Sequence, residues 1–136
     1  EDVGLLVRIV RLLIAQSPNS PYRYWLAGCV HKWLQATSPP EQAFVAAIPG
    51  FLPALVRMVA HSSADCYTMR QVQFDLLGEL VKFSPALLAA VEAEAARQRL
   101  RRRFREATRK FPIDSSVFLH CVALTRTRRV RPLVTF

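Results

Sequence analysis

Asp75 and Glu79 stand four residues apart, the spacing that sets two carboxylates one above the other on a helix. Paired carboxylates are the raw material of general acid–base chemistry. No second pair, histidine or metal cluster accompanies them, and Lys82 follows Glu79 by three residues. A structural ion pair or a polar contact between helices is therefore the expected role. Cys29 with His31, and His120 with Cys121, are the only Cys/His neighbours. Residues adjacent or two apart on a helix point in different directions, so neither pair chelates a metal alone, and a zinc site would need both pairs to meet. Packing as buried cysteines is the default. No enzyme activity, cofactor or metal is expected.

The remaining chemistry is cationic. Residues 97–110 carry eight positive charges against one negative. If Leu100, Phe104, Ala107 and Phe111 turn inward, Arg97, Arg101, Arg105 and Arg109 form an i, i+4 row on the outer side, with Arg102 and Lys110 beside it. Such like-charge rows cost an isolated helix a few tenths of a kcal/mol per pair, by about 0.2–0.5. An acidic partner would relieve that repulsion: nucleic acid, an acidic tail such as tubulin's, or an acidic face of the parent protein. Arg126, Arg128, Arg129 and Arg131 extend the charge past the last helix, where an arm could reach an acidic surface. The competing readings are a solvated or intramolecular face and a plain linker, since sixteen Arg against three Lys also follows from GC-rich coding sequence.

These groups must be held by helices. Met69, Val72, Leu76, Leu80 and Phe83 recur at three- and four-residue intervals, and Phe74, Leu77 and Val81 repeat that spacing on another side of the same segment. A surface helix needs one apolar stripe, so this one should be sandwiched. Ser20-Pro21, Ser38-Pro39 and Ser84-Pro85 each place a hydroxyl before a proline at the first helical position. Ser38 with Glu41 matches a capping box, and Asp65 and Asp114 are further candidate caps. The pattern predicts helices over 3–16, 21–36, 40–47, 51–61, 66–83, 85–95, 98–110 and 114–126, with no strand. The stripe of Leu88, Val91 and Ala95 resumes out of phase at Leu100, which places a break near Glu94 to Arg97. Trp25, Cys29 and Trp33 fall at i, i+4, i+8, which favours core packing over an exposed aromatic surface with Tyr22 and Tyr24. Gly78 in mid-helix implies close approach of a neighbour.

The 136 residues, 51% of them apolar, are one domain's worth and enough for a core. Residues 1–96 hold seven Lys/Arg against eight Asp/Glu, net −1, and residues 97–136 hold twelve against two, net +10. The basic balance thus belongs to the last third. Three widely spaced cysteines indicate neither a disulfide framework nor a zinc knuckle and fit a reducing, cytosolic-type compartment. The longest uncharged run around Pro49, Gly50 and Pro53 is too short and broken to span a membrane, and Arg8 and Arg11 argue against a signal peptide. The start at Glu1 and the apolar end at Phe136 read as cut ends of a longer chain, or as an apolar tail.

Ser38-Pro39 and Ser84-Pro85 lie 46 residues apart, each after a long apolar helix, and the same offset carries Leu76 to Val122. A period in the forties belongs to armadillo and HEAT repeats. Ala47-Ile48-Pro49-Gly50-Phe51-Leu52-Pro53-Ala54-Leu55-Val56 resembles the armadillo pattern in which a Gly/Ile-Pro turn introduces an amphipathic helix. The expected fold is all-α: an armadillo- or HEAT-like solenoid fragment of seven or eight helices over residues 1–125, with a basic tail over 126–136.

Three blocks, Tyr22-Arg23-Tyr24-Trp25 to Trp33-Leu34, Gln73 through Phe83, and Asp114 through Val122, together resemble the TRUSS family of transient receptor potential channel-associated proteins. The likeness runs from Tyr22 to Thr125. It implies an all-helical, armadillo-like cytosolic protein without enzymatic activity, tied to tumour-necrosis-factor receptor and calcium-channel signalling, and a substrate receptor for a cullin-RING ubiquitin ligase. No family binding residue falls on these blocks, and the arginine run and the residues after Thr125 depart from the family. The expected function is a protein–protein interaction scaffold or adaptor in a multi-subunit complex. The alternative is a structural protein docked through its basic third on an acidic assembly, cytoskeletal, ciliary or ribonucleoprotein.

Overall fold

The computed structural model describes residues 4–18, 20–36, 39–63 and 67–127. Those residues form eight helices and no strand: α1 Leu5–Ala15, α2 Tyr22–Gln35, α3 Pro39–Ala46, α4 Phe51–Ala60, α5 Tyr67–Val81, α6 Pro85–Arg97, α7 Arg101–Lys110 and α8 Ser116–Thr127. The expected caps at Ser38 and Asp65, together with Cys66, lie outside the described residues. Ser84 caps α6, its Oγ accepting from the Leu87 N–H at 3.2 Å, with proline at the first helical position. Asp114 does not serve as a cap. Its carboxylate accepts from Arg70 Nε at 2.8 Å, and the charge on α5 outcompetes a backbone amide for it.

The helices stack in two rows. α2, α5 and α8 lie side by side in one, α1, α4 and α7 in the other, with α3 against α4 and α6 wedged among α4, α5, α7 and α8. The 46-residue cycle reappears in the contacts. Arg70 meets Asp114, Val81 meets Thr125, Pro53 meets Gln98 and His61 meets Arg103, at sequence separations of 44, 44, 45 and 42. Along α5 and α8 the meeting points advance together, from Arg70 with Asp114, through Gly78 with Phe118, to Phe83 with Thr125, so these helices run parallel. Parallel helices one cycle apart are what a solenoid of repeated units requires.

α5 is buried on both sides. Met69, Phe74, Leu76, Leu77, Leu80 and Val81 belong to the core, between α2 and α8. A β-carbon on Gly78 would lie 3.2 Å from the Phe118 backbone, so its glycine lets α8 approach, as its mid-helix position implies. Phe83 is the exception to the predicted stripe. It follows the helix with φ +59° and is exposed, while its N–H donates to Thr125 Oγ1 at 3.0 Å. The carbonyls at the end of α5 are met from another helix, Gln42 Nε2 donating toward Glu79, Leu80 and Lys82 O at 2.7–3.0 Å, while the Thr125 hydroxyl donates to Cys121 O of its own helix at 2.7 Å and its oxygen accepts the Phe83 N–H. The left-handed Gly50, φ +82°, turns the chain from α3 into α4.

Two further expectations are corrected. On α2 the buried stripe is Ala27, Val30 and Leu34. Trp25 is 69% exposed, Cys29 is exposed, and only Trp33 of the predicted stripe leans on the core. The rotation buries smaller residues where α2 packs on its neighbours α1 and α5 and leaves the Tyr22, Tyr24 and Trp25 rings outside. The break after α6 falls at Gln98–Leu100, later than the predicted Glu94 to Arg97, because the apolar stripe can skip phase only where the chain reverses.

Candidate interaction surface

That reversal places the basic face. Arg99 adopts φ +59°, its N–H donates to Ala96 O at 3.1 Å, and the Leu100 N–H donates back to Ala95 O at 2.8 Å. This paired closure satisfies the last carbonyls of α6 and folds the buried Leu100 onto the core. α7 then starts with its inner stripe set. Ala107 and Phe111 are buried, and Phe104 packs edge-on against Phe118 with ring centroids 5.7 Å apart.

With that stripe inward, Arg101, Arg102, Arg103, Arg105, Arg109 and Lys110 are all exposed. Their commitments differ. Arg102 pairs with Glu106 at 3.2 Å, one turn on, and Arg103 reaches His61 Nδ1 at 3.1 Å. Lys110 Nζ lies 5.5 Å from the Phe111 ring centre. Arg101, Arg105 and Arg109 make no ion pair among the described residues. They form an i, i+4 row of like charge, while Arg97 ends α6, outside that row, and pairs with Glu94. Glu94 is partly desolvated, yet hydrogen bonds from Arg97 and Gln98 carry it below the usual carboxylate range. Arg126, on α8, meets Glu92 of α6 at 3.6 Å. Arg128, Arg129 and Arg131 lie outside the described residues.

Two cavities open nearby. One, of about 410 Å³, lies between α6, α7 and α8, with Arg101, Arg105 and Arg126 on its rim. The other, of about 590 Å³, is bordered by Arg23, Arg57 and Arg70. Its arginines are already engaged, with Pro18 O, Gln98 Oε1 and the Asp114 carboxylate respectively.

The acid/base candidates separate. Glu79 lies 4.0 Å from Lys82, the expected ion pair. Burial raises the Asp75 carboxyl above its usual range; His31 opposes the rise, and the carboxylates of Asp114 and Glu79 add to it. Its Oδ1 is buried without a hydrogen bond. Burial also pushes the Cys121 thiol up, whereas Cys29 is exposed. Among the described residues no three His, Cys, Asp or Glu side chains gather as metal ligands. No single helix there is long and apolar enough to cross a membrane; α3 and α4 pass by composition only as a pair bent by 82°.

Sequence reasoning ranked one feature too low and missed two. Tyr22, Tyr24 and Trp25 are exposed, as the less favoured aromatic-surface reading had it, with Tyr24 and Trp25 edge-on at 5.3 Å. Gln73 is buried, its Nε2 donating to Met58 O and Ser62 Oγ. The α6–α7–α8 cavity has no linear signal, because its walls come from three segments.

Fold and surface define a class: an all-α, solenoid-like array whose distinctive chemistry is an exposed arginine face. The chain belongs to the family described as "Protein of unknown function (DUF3689)", whose model matches residues 1–132. It is also similar to the short transient receptor potential channel 4-associated proteins of Homo sapiens and Mus musculus, 25% identical to each over 125 residues, 92% of this chain. The chain spans 16% of the length of these curated relatives. No solved structure matches it.

Proposed function

We propose that this chain is a non-enzymatic interaction module, a stretch of helical scaffold within a protein that assembles with other proteins in the cytoplasm. The observation that carries this reading is the likeness along 92% of the chain to relatives whose name states association with a channel protein. Burial of α5 on both sides supports it: the helix most like a family signature is spent on packing, which leaves recognition to the surfaces. The finer reading is adaptor duty, as part of a substrate receptor in a cullin-RING ubiquitin ligase.

A specific observation favours a second reading. Arg101, Arg105 and Arg109 stand exposed without ion pairs among the described residues, which suits docking of the basic third on an acidic assembly. Quantitative pull-down of the intact protein, with and without this segment, separates the two. The adaptor reading expects ligase subunits to be retained at high salt and lost with the segment. The docking reading expects partners to be lost at high salt and on reversing Arg101, Arg105 and Arg109 to glutamate, because such attraction is screened by ions. Retention of every partner after deleting the segment contradicts both.

A further inference from the structure

We infer that the groove between α6, α7 and α8 binds a helical peptide of a partner protein, one that presents apolar side chains flanked by carboxylates one turn apart. This deepens the interaction-module reading and rests on it.

The groove has two chemistries in fixed relation. Its floor is apolar: Leu88 and Val91 from α6, Phe104 from α7, Phe118 and Val122 from α8. Its volume of about 410 Å³ lies within the ~300–1,000 Å³ of ligand pockets, enough for a few side chains of a docked helix. Leu119, 45% exposed, stands at its edge and extends the apolar surface outward. The rim is cationic on both long sides. Arg101 and Arg105 border it from α7 without ion pairs among the described residues, and Arg126 borders it from α8. Glu92 is the one carboxylate on the rim; it is held by Arg126 at 3.6 Å, and both side chains are more than half exposed. The rim therefore keeps an excess of positive charge, and an incoming carboxylate can replace Glu92 as the partner of Arg126.

Charge complementarity selects the occupant. Arg101 and Arg105 are one helical turn apart, so their Cβ atoms stand ~5–6 Å from each other, the spacing of carboxylates at i and i+4 on a ligand helix. Guanidinium pairs with carboxylate in planar, two-bonded geometry. Apolar anchors of the same helix at i+3 and i+7 then face the floor, the helix-in-groove mode of recognition. Nucleic acid would meet the cations equally well, but the groove's two rings lie in its floor, Phe118 buried and Phe104 partly buried and edge-on to it, so no exposed ring stands among the rim cations for base stacking. A membrane surface is flat where this site is concave.

The test is fluorescence anisotropy on the intact protein with three labelled probes. The first is a sixteen-residue helical peptide carrying glutamate at i and i+4 and leucine at i+3 and i+7. The second is an oligoglutamate of equal charge, and the third a single-stranded RNA of similar length. The leucine–glutamate peptide is expected to bind at least tenfold tighter than either other probe. Leu119→Glu, and separately Arg101→Glu with Arg105→Glu, should each weaken it at least tenfold. All these positions are exposed, and an unchanged circular dichroism spectrum confirms that the variants fold. Equal binding of oligoglutamate, indifference to Leu119→Glu, or tighter binding of RNA overturns the groove assignment. So does the absence of peptide binding by the intact protein, the result expected if another part of that protein fills the groove. None of these outcomes touches the module reading, which fails only if deleting the segment leaves every protein partner bound.

Discussion

α5 and α7 are helices of the same layered array with opposite economies of surface. α5 is apolar on two sides and has almost nothing left to offer a partner. α7 spends a narrow stripe, Phe104, Ala107 and the following Phe111, on the core and shows solvent three arginines with no ion pair among the described residues. The difference teaches where stability and recognition reside. Losing α5 contacts should unfold the array, whereas changing the outer face of α7 should leave the fold intact and alter only what it binds.

The sharpest way to break that contrast is to truncate α5. Phe74 is fully buried, its ring 6.0 Å from that of Phe118. Phe74→Ala should cost about 3–5 kcal/mol, a large share of a domain's ~5–15 kcal/mol stability, as a lowered urea midpoint. A next step uses the glycines. Gly78→Val must push α8 away from the 3.2 Å approach at Phe118 and should cost about 1–3 kcal/mol. Gly28→Ala, on α2, meets nothing within 4 Å and should instead stabilise by about 0.5–1 kcal/mol through helix propensity. If both glycine changes act alike in thermal melts, tight α5–α8 packing is not what Gly78 provides.

Asp75 sharpens the same comparison through pH. Its carboxyl holds its proton to higher pH in the folded protein than in the unfolded chain, because burial, less the opposing effect of His31, disfavours the charge. Its contribution is therefore complete below the unfolded pKa and is lost as pH rises through the folded one. Asp75→Asn should raise stability at pH 7, because it removes a charge that burial disfavours, and the gain should vanish as the solution is acidified and Asp75 itself becomes neutral. Melting temperatures measured across that range check the sign. The smallest effect is expected on α7. Reversing Arg101, Arg105 and Arg109 to glutamate should shift stability by no more than about 0.5 kcal/mol in chemical denaturation.

Much of the fold was legible because it depends on local spacing. The sandwiched α5, the Ser84 cap and the eight helices are carried by residues close in sequence, and the 46-residue cycle by the recurrence of such local patterns. Legibility failed where a third element decides. Trp25 and Trp33 share a spacing, but the smaller Ala27, Val30 and Leu34 take the buried face of α2, which spacing alone cannot rank. Arg97 looked like the first member of the arginine row until the left-handed Arg99 set it on the other side of a turn. Gln42 and Thr125 read as ordinary polar residues, yet both tie down the end of α5 from other helices, Gln42 by donating to its carbonyls and Thr125 by accepting from the Phe83 N–H. The arginine face could be read from the sequence, but not the groove beside it, nor that Arg126 stands across it from Arg101 and Arg105.

The division between a packed α5 and an available α7 is tested most directly by amide hydrogen exchange of the intact protein, with and without the leucine–glutamate peptide. The account predicts that α5 exchanges slowest in both states and is unchanged, while added protection falls on α6, α7 and α8. Protection appearing instead at the exposed Tyr22, Tyr24 and Trp25 end of α2, or an α5 that exchanges as fast as α7 in the free protein, would contradict it.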